Sequence, residues 1–233
     1  MGDHAPDGRE ALTGPAPATA EPGAEALDAG RRLFARECRF VAAAAQAEAL
    51  PAAGLPEVAF AGRSNVGKSS LLNALTGQRA LARVSRTPGR TQQINFFELG
   101  RRLVLVDLPG YGYAAVARAR VREWTRLFED YLKGRPTLRR LCLLIDSRHG
   151  AKDGDRTLMA LMDEAAVSYQ IVLTKADLTP ADELDARRAA LVGELAGHAA
   201  AHPEIMAASA RTGAGIAELR AALAALAAPE RFD

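Results

Sequence analysis

The sequence predicts an α/β fold built on a mostly parallel sheet covered by helices on both faces. Three observations lead there. From residue 58 onward, short apolar runs alternate with helix-periodic stretches, the pattern of strands buried on both sides and joined by crossover helices. Gly100 separates two adjacent runs, a hairpin signal that adds one antiparallel pair. Gly62-Arg63-Ser64-Asn65-Val66-Gly67-Lys68-Ser69 falls between the first apolar run and a helix, and its G-x-x-x-x-G-K-[ST] spacing reads as a phosphate-binding loop.

Residues 1–30 are rich in Ala, Pro, Gly and acidic side chains and lack apolar periodicity. Such a stretch buries too little surface to offset its ordering entropy, and a disordered tail is expected. Helix and strand signals compete over residues 33–50, where an edge strand and a short connection are expected. Six later runs read as strands: residues 58–61, 93–99, 102–107, 141–146, 169–174 and 204–207. Residues 70–75 read as the helix after the phosphate loop. Thr179-Pro180-Ala181-Asp182 opens a helix running towards His198, with Thr179 as cap and Pro180 at the first position. A last helix over residues 216–226 carries Leu219, Leu223 and Leu226 at helical spacing. The main domain is expected over residues 31–228, with a short C-terminal tail at 229–233.

Each fixed position of the phosphate loop has a physical reason. Gly62 and Gly67 let the backbone curl so that successive N–H groups converge on phosphate oxygens, the loop spanning Gly62, Arg63, Ser64, Asn65, Val66, Gly67, Lys68, Ser69 and Ser70. Lys68 reaches the β- and γ-phosphates, and the Ser69 hydroxyl can ligate Mg²⁺. The following helix turns its positive dipole end to the phosphates. A chance match to this spacing in a chain of this length is on the order of one in a hundred or less.

Further motifs follow in order. Asp107-Leu108-Pro109-Gly110 succeeds an apolar strand; Asp107 can hold Mg²⁺ through a water, and the Gly110 N–H can meet a γ-phosphate. Thr174-Lys175-Ala176-Asp177 resembles the [NT]-K-x-D motif of GTP-binding proteins. There Asp177 accepts from the ring N–H and exocyclic amine of guanine, and the Lys175 stem lies across the base. Adenine offers neither arrangement, which allows discrimination on the order of 10⁴ or more. Ser209-Ala210-Arg211-Thr212-Gly213 resembles the S-A-x-x-G loop whose backbone meets guanine O6; alone it is an ordinary turn of small residues. Thr87-Pro88-Gly89-Arg90-Thr91 sits between the first helix and the hairpin, where a nucleotide switch belongs. Thr91 is the better candidate to complete the Mg²⁺ shell, beside Gly89, and Thr87 is the alternative; a merely flexible surface loop is the competing reading.

This ordered set is that of the translation-factor-related GTPases, and the chain more closely resembles the EngB (YihA/YsxC) family of ribosome-assembly GTPases. The resemblance is carried by residues 62–73, Thr87-Pro88-Gly89-Arg90-Thr91-Gln92, Ile94-Asn95-Phe96-Phe97, Asp107-Leu108-Pro109-Gly110-Tyr111-Gly112-Tyr113-Ala114, Ile145-Asp146-Ser147-Arg148-His149-Gly150 and Leu173-Thr174-Lys175-Ala176-Asp177. It implies a three-layer P-loop GTPase fold with a mixed, mostly parallel six-stranded sheet. It implies slow GTP hydrolysis, with Lys68, Thr91 and Gly110 as catalytic groups and Mg²⁺ held by Ser69, Thr91 and Asp107. It also implies a monomeric, nucleotide-gated switch in assembly of the large (50S) ribosomal subunit, meeting the subunit or its precursor through rRNA and ribosomal proteins, with a link to cell division and septation.

Tyr111 stands where Ras-type GTPases keep the glutamine that orients the attacking water, so weak intrinsic hydrolysis is expected. Asn65 matches the position that coordinates K⁺ in potassium-stimulated relatives; bracing of the loop through its own hydrogen bonds is the equal alternative. After Tyr113, Val121, Trp124, Phe128 and Tyr131 fall on one helical face and read as core. Arg118, Arg122 and Arg126 fall on another, with Arg120, Arg139 and Arg140 nearby; a solvated face and an RNA-phosphate contact are about evenly matched.

The bulk numbers exclude little. The chain has 233 residues, 48% apolar and 25% charged, with a net charge of +2, which neither demands nor rules out a nucleic-acid partner. Cys38 and Cys142 lack metal-ligand spacing and read as buried thiols of a reducing compartment. No run approaches a membrane span, and the N-terminus lacks the basic-then-apolar pattern of a secretory signal, so a cytoplasmic protein is expected. His149 and His198 have no catalytic neighbours. Two rival readings stand. A metabolic P-loop phosphotransferase or ATPase is opposed by Thr174 to Asp177. A signalling-type GTPase that recruits a protein partner away from the ribosome finds no lipidation signal at the C-terminus.

Overall fold

The computed structural model describes residues 22–79, 81, 93–111 and 118–230, with the side chains of 118–125 excepted. Seven strands form one sheet in the order β1-β3-β4-β2-β5-β6-β7. β1 (Cys38–Ala44), β3 (Ile94–Leu99) and β4 (Leu103–Asp107) pair antiparallel, while β2 (Glu57–Gly62), β5 (Leu138–Asp146), β6 (Tyr169–Thr174) and β7 (Met206–Ala208) run parallel to one another and to β4. The expected α/β class holds, but the sheet has seven strands rather than six. The count of six is what the resemblance implies; the six later runs supply six strands, and β1 is the edge strand expected over residues 33–50. A register shift between Phe40 and Ala42 breaks its alternation, which is why no clean period-two signal marks it.

Strand alternation divides the core into two layers. On one face Ala59, Ala61, Leu143, Ile171 and Leu173 meet α3 (Arg118–Gly134), α4 (Asp153–Glu164) and α5 (Ala181–Leu195). On the other, Val58, Phe60, Leu105, Leu144 and Val172 meet α1 (Ala24–Phe34), α2 (Lys68–Thr76) and α6 (Ile216–Ala224). Both faces of the central strands are thus dry, as the near-continuous apolar runs require. The hairpin between β3 and β4 turns at Gly100 and Arg101, both at φ 56°, the left-handed pair that a tight hairpin needs.

Helix α1 corrects the expected tail boundary at residue 30. Gly30, Leu33 and Phe34 are buried, and a Cβ on Gly30 would stand 2.6 Å from the Ala221 nitrogen of α6. The helix has an apolar side that includes Leu33 and Phe34, but it straddles residue 30, so its pattern is split between the Pro- and Gly-rich stretch and the one after it. The start of α5 also differs. Pro180, not Thr179, is the cap residue, and no side chain caps the helix. Thr179 instead shares a hydrogen bond with the Ser147 hydroxyl at 2.7 Å, which ties the end of β5 to the loop after β6. Among the described residues no helix is long and apolar enough to cross a membrane.

Candidate nucleotide site

The carboxyl ends of β2, β4, β5, β6 and β7 line one edge of the sheet, and each delivers a segment to the same crevice. Ligands of open α/β sheets bind there because chain leaves the strands and helices begin, with unpaired N–H groups outward.

At the end of β2, a Cβ on Gly62 would lie 2.8 Å from Val66 Cγ1 and 2.9 Å from the Leu144 carbonyl oxygen. Only glycine fits where the phosphate loop leaves the sheet. Asn65 (φ 67°) and Gly67 (φ 104°) curl the loop through the left-handed region, which Asn tolerates and Gly enters freely. The Ser64 N–H donates to the Tyr111 carbonyl at 3.0 Å and the Tyr111 N–H to the Gly62 carbonyl at 3.3 Å, stitching the loop to the residue after Gly110. Gly110 itself lies against the loop, its Cβ position 3.3 Å from the Ser64 Cα, N and Oγ. The Arg63 side chain is exposed, and Ser69 and Ser70 sit in the first turn of α2.

Lys68, which opens α2, forms an ion pair with Asp107 at the end of β4, their side chains only 12% and 13% exposed. The lysine expected on the phosphates and the aspartate expected on the metal are therefore neighbours. The protein donors available to a metal here are the Ser69 hydroxyl and the Asp107 carboxylate, hard oxygens that suit Mg²⁺. Among the described residues no group of three or more His, Cys, Asp or Glu gathers. The residues fit an ion that arrives with phosphate oxygens and waters rather than one caged by protein. Gly89, Thr87 and Thr91, the switch residues, lie outside the described residues.

The base-reading side is bound to this loop. Thr174 Oγ1, at the end of β6, donates to the Val66 carbonyl at 2.6 Å. Lys175, at φ 55°, donates from Nζ to the Asn65 carbonyl at 2.7 Å and to Asp146 Oδ2 at 2.8 Å. Asp177 accepts from the buried Ser209 hydroxyl and from Arg211 Nε, the latter at 2.7 Å. These two hydrogen bonds hold its carboxyl below the usual range. After β7, a Cβ on Gly215 (φ 72°) would fall 1.9 Å from the Ala207 carbonyl oxygen, so only glycine lets the Ser209–Ala210 loop close so tightly. A cavity of about 230 Å³ opens between Gly67, Leu71, Thr174, Lys175, Asp177, Leu178, Ala208, Ala210 and Arg211. Its walls are mostly apolar, with Asp177 as a carboxylate, the arrangement a flat base with ring N–H groups requires.

Three partnerships at this site escaped sequence reasoning. Asp146 ends β5 and bridges Lys175 to Arg148. Burial opposes its charge, but the hydrogen bonds from Arg148 and Lys175 outweigh this and hold the carboxyl well below the ordinary range. The acid-x-basic spacing at a strand end was its available signal. Arg211 occupies the carboxylate meant for the base, and nothing in a run of small turn residues announces that. Tyr111 turns its hydroxyl to Asp155 at 2.6 Å.

The Asn65 side chain is exposed and makes no hydrogen bond among the described residues, so loop bracing is done by its main-chain carbonyl. On α3, Phe128 and Tyr131 are buried and Arg126 is exposed. The side chains of Arg118, Arg120, Val121, Arg122 and Trp124 lie outside the described residues. Arg139 lines a separate hollow of about 440 Å³ at the opposite end of the sheet.

Residues 57–175 match the protein family described as 50S ribosome-binding GTPase. The protein named "Probable GTP-binding protein EngB" in Rhodospirillum rubrum is 58% identical over 214 residues, 90% of this chain and 93% of that one. Its namesake in Granulibacter bethesdensis is 53% identical over 213 residues, covering 91% and 96%. Among solved structures, Aquifex aeolicus Era bound to GDP·AlF4⁻ is similar in fold, with a TM-score of 0.61, 21% identity and coverage of 76% and 58%. A crystallised probable GTP-binding protein engB gives 0.54, at 20% identity over 72% and 97%. The full-length likeness to these relatives and the GTPase domain match make the chain a member of the EngB family of GTP-binding proteins.

Proposed function

We propose that the chain is a nucleotide-gated switch whose GTP-bound form associates with the large ribosomal subunit or its precursor during assembly, and that its intrinsic hydrolysis is slow. The observation that carries the reading is the family match over residues 57–175, described as 50S ribosome-binding GTPase, joined to a crevice where phosphate loop and base pocket are one bonded unit.

The residues divide the work. The backbone N–H groups of residues 62–70 bind the β- and γ-phosphates, and Lys68 exchanges its Asp107 partner for phosphate oxygens. Ser69 and Asp107, with Thr91, would hold Mg²⁺, which would supply positive charge to the phosphates there. The Gly110 N–H meets the γ-phosphate. Asp177 reads guanine once Arg211 swings off its carboxylate, while Ala210 presents its N–H to O6 and the Lys175 stem covers the ring. Slow hydrolysis is supported by the Tyr111 hydroxyl being engaged with Asp155. Asn65, with its side chain free of hydrogen bonds among the described residues, is the K⁺ ligand of this reading. Equal turnover in K⁺ and Na⁺ with ribosomal particles present removes that part of it.

The switch is monomeric and cytoplasmic in this reading, and a septation defect on depletion follows from failed subunit assembly. The arginines of α3, of which Arg126 is exposed, are the rRNA contact in this reading. Sucrose-gradient sedimentation of an extract with GDP or a non-hydrolysable GTP analogue tests the whole. Co-migration with the large subunit only in the GTP-like state is expected; absence from the subunit in both states overturns the ribosomal assignment. Loss of binding on reversing Arg122 and Arg126, with GTP affinity intact, is the expected result for the contact face.

A further inference from the structure

Tyr111 is held at two ends. Its main chain is bonded to the phosphate loop, through the Gly62 carbonyl at 3.3 Å and the Ser64 N–H at 3.0 Å. Its hydroxyl donates to Asp155 Oδ1 at 2.6 Å. Asp155 is itself buried, 1% exposed, and its other oxygen accepts the Lys152 N–H at 2.8 Å as the capping box of α4. The Tyr111 ring lies across the first turn of α4, 3.5 Å from the Cβ position of Gly154. Upstream, the Leu108 N–H is tied to the Phe60 carbonyl at 3.1 Å. The turn carrying Gly110 is therefore pinned on both sides, and Gly110 has no hydrogen-bond acceptor for its N–H among the described residues.

We infer that Asp155 is a positioning residue for the Gly110 N–H, acting through the Tyr111 hydroxyl, and so supports the binding of GTP but not that of GDP. The inference rests on the reading that Gly110 meets the γ-phosphate. A buried charge-assisted hydrogen bond fixes the tyrosine more firmly than packing alone. Removing it takes away the buried hydrogen bond at the far end of the ring, and the Gly110 N–H is then directed less firmly. GDP has no γ-phosphate and does not feel the change. The role belongs to α4, an element that contributes no residue to the lining of the base cavity.

The test uses the full chain and competition of GDP and a non-hydrolysable GTP analogue against a fluorescent guanine nucleotide. Tyr111→Phe keeps the ring and deletes the hydroxyl; Asp155→Ala deletes the acceptor. Each is expected to weaken the GTP analogue about tenfold while GDP affinity stays within about twofold, since one charge-assisted hydrogen bond is lost. GDP binding also reports that each variant is folded, and a misfolded Asp155→Ala leaves Tyr111→Phe to decide. Gly110→Ala is the control on the underlying reading. If it weakens both nucleotides equally or neither, the assignment of Gly110 to the γ-phosphate fails. If Gly110→Ala is selective for GTP but Tyr111→Phe shifts neither nucleotide, or both alike, the role of Asp155 is overturned and the reading of Gly110 stands.

Discussion

The Lys175 ammonium donates to the main-chain carbonyl of Asn65 at 2.7 Å, so the base-reading strand end and the phosphate loop are directly bonded. Asp146 aims that ammonium from below, at 2.8 Å. Asp146→Ala is therefore expected to weaken GTP and GDP together, by about five- to tenfold, because one charge-assisted hydrogen bond no longer orients the lysine. Titration with a fluorescent guanine nucleotide reads the change. An altered GTP-to-GDP ratio would contradict it, since the base and not the γ-phosphate is affected.

The same carboxylate predicts a pH dependence. Its folded pKa lies below its unfolded value, so it stabilises the fold above the ordinary carboxyl range near about 3.9. That contribution is lost as pH falls below this value towards the depressed folded one. Melting temperatures between pH 7 and pH 3 should fall less steeply for Asp146→Asn than for the parent chain.

Asp177 is held between Ser209 and Arg211, with its side chain 9% exposed. Asp177→Ala is expected to lower GTP affinity by about a hundredfold or more, because the guanine N–H groups lose their acceptor in a pocket that gives them no other. Circular dichroism should not change. Competition by ATP that matches GTP in the parent chain would refute the base assignment.

At the far end of β2, buried Glu57 accepts from Arg135, Tyr131 and Thr137, the Arg135 and Glu57 side chains being 8% and 2% exposed. Glu57→Ala leaves Arg135 uncompensated in the core and is expected to cost about 3–5 kcal/mol. Urea unfolding measures it. Nucleotide affinity of the folded fraction should hold, since Glu57 sits at the opposite end of its strand from the phosphate loop.

Gly30 is where α1 touches α6. Gly30→Val forces the helices apart, because its Cβ would stand 2.6 Å from the Ala221 nitrogen, and about 1–3 kcal/mol of stability should be lost. Unfolding that is indifferent to this change would mean α1 adds nothing to the folded unit.

The sequence by itself determined the phosphate loop, the D-x-x-G turn, the base motif and the order in which strands present them. These segments are legible because their chemistry is local: a left-handed backbone needs Gly67, and a phosphate needs Lys68 close to the loop N–H groups. The two-sided core was equally plain, since strands buried on both faces leave continuous apolar runs such as Val58-Ala59-Phe60-Ala61. Only the tertiary structure decided the rest. It added α1, which straddles residue 30 and so is split between two stretches of unlike composition, and it fixed the bounds and the bulge of the edge strand β1. It turned the Tyr111 hydroxyl to Asp155, set Asp146 beneath Lys175 and laid Arg211 on Asp177. Each of these pairs joins residues far apart in the chain, and hydrogen bonds between distant side chains depend on how the strands align, which no local pattern encodes.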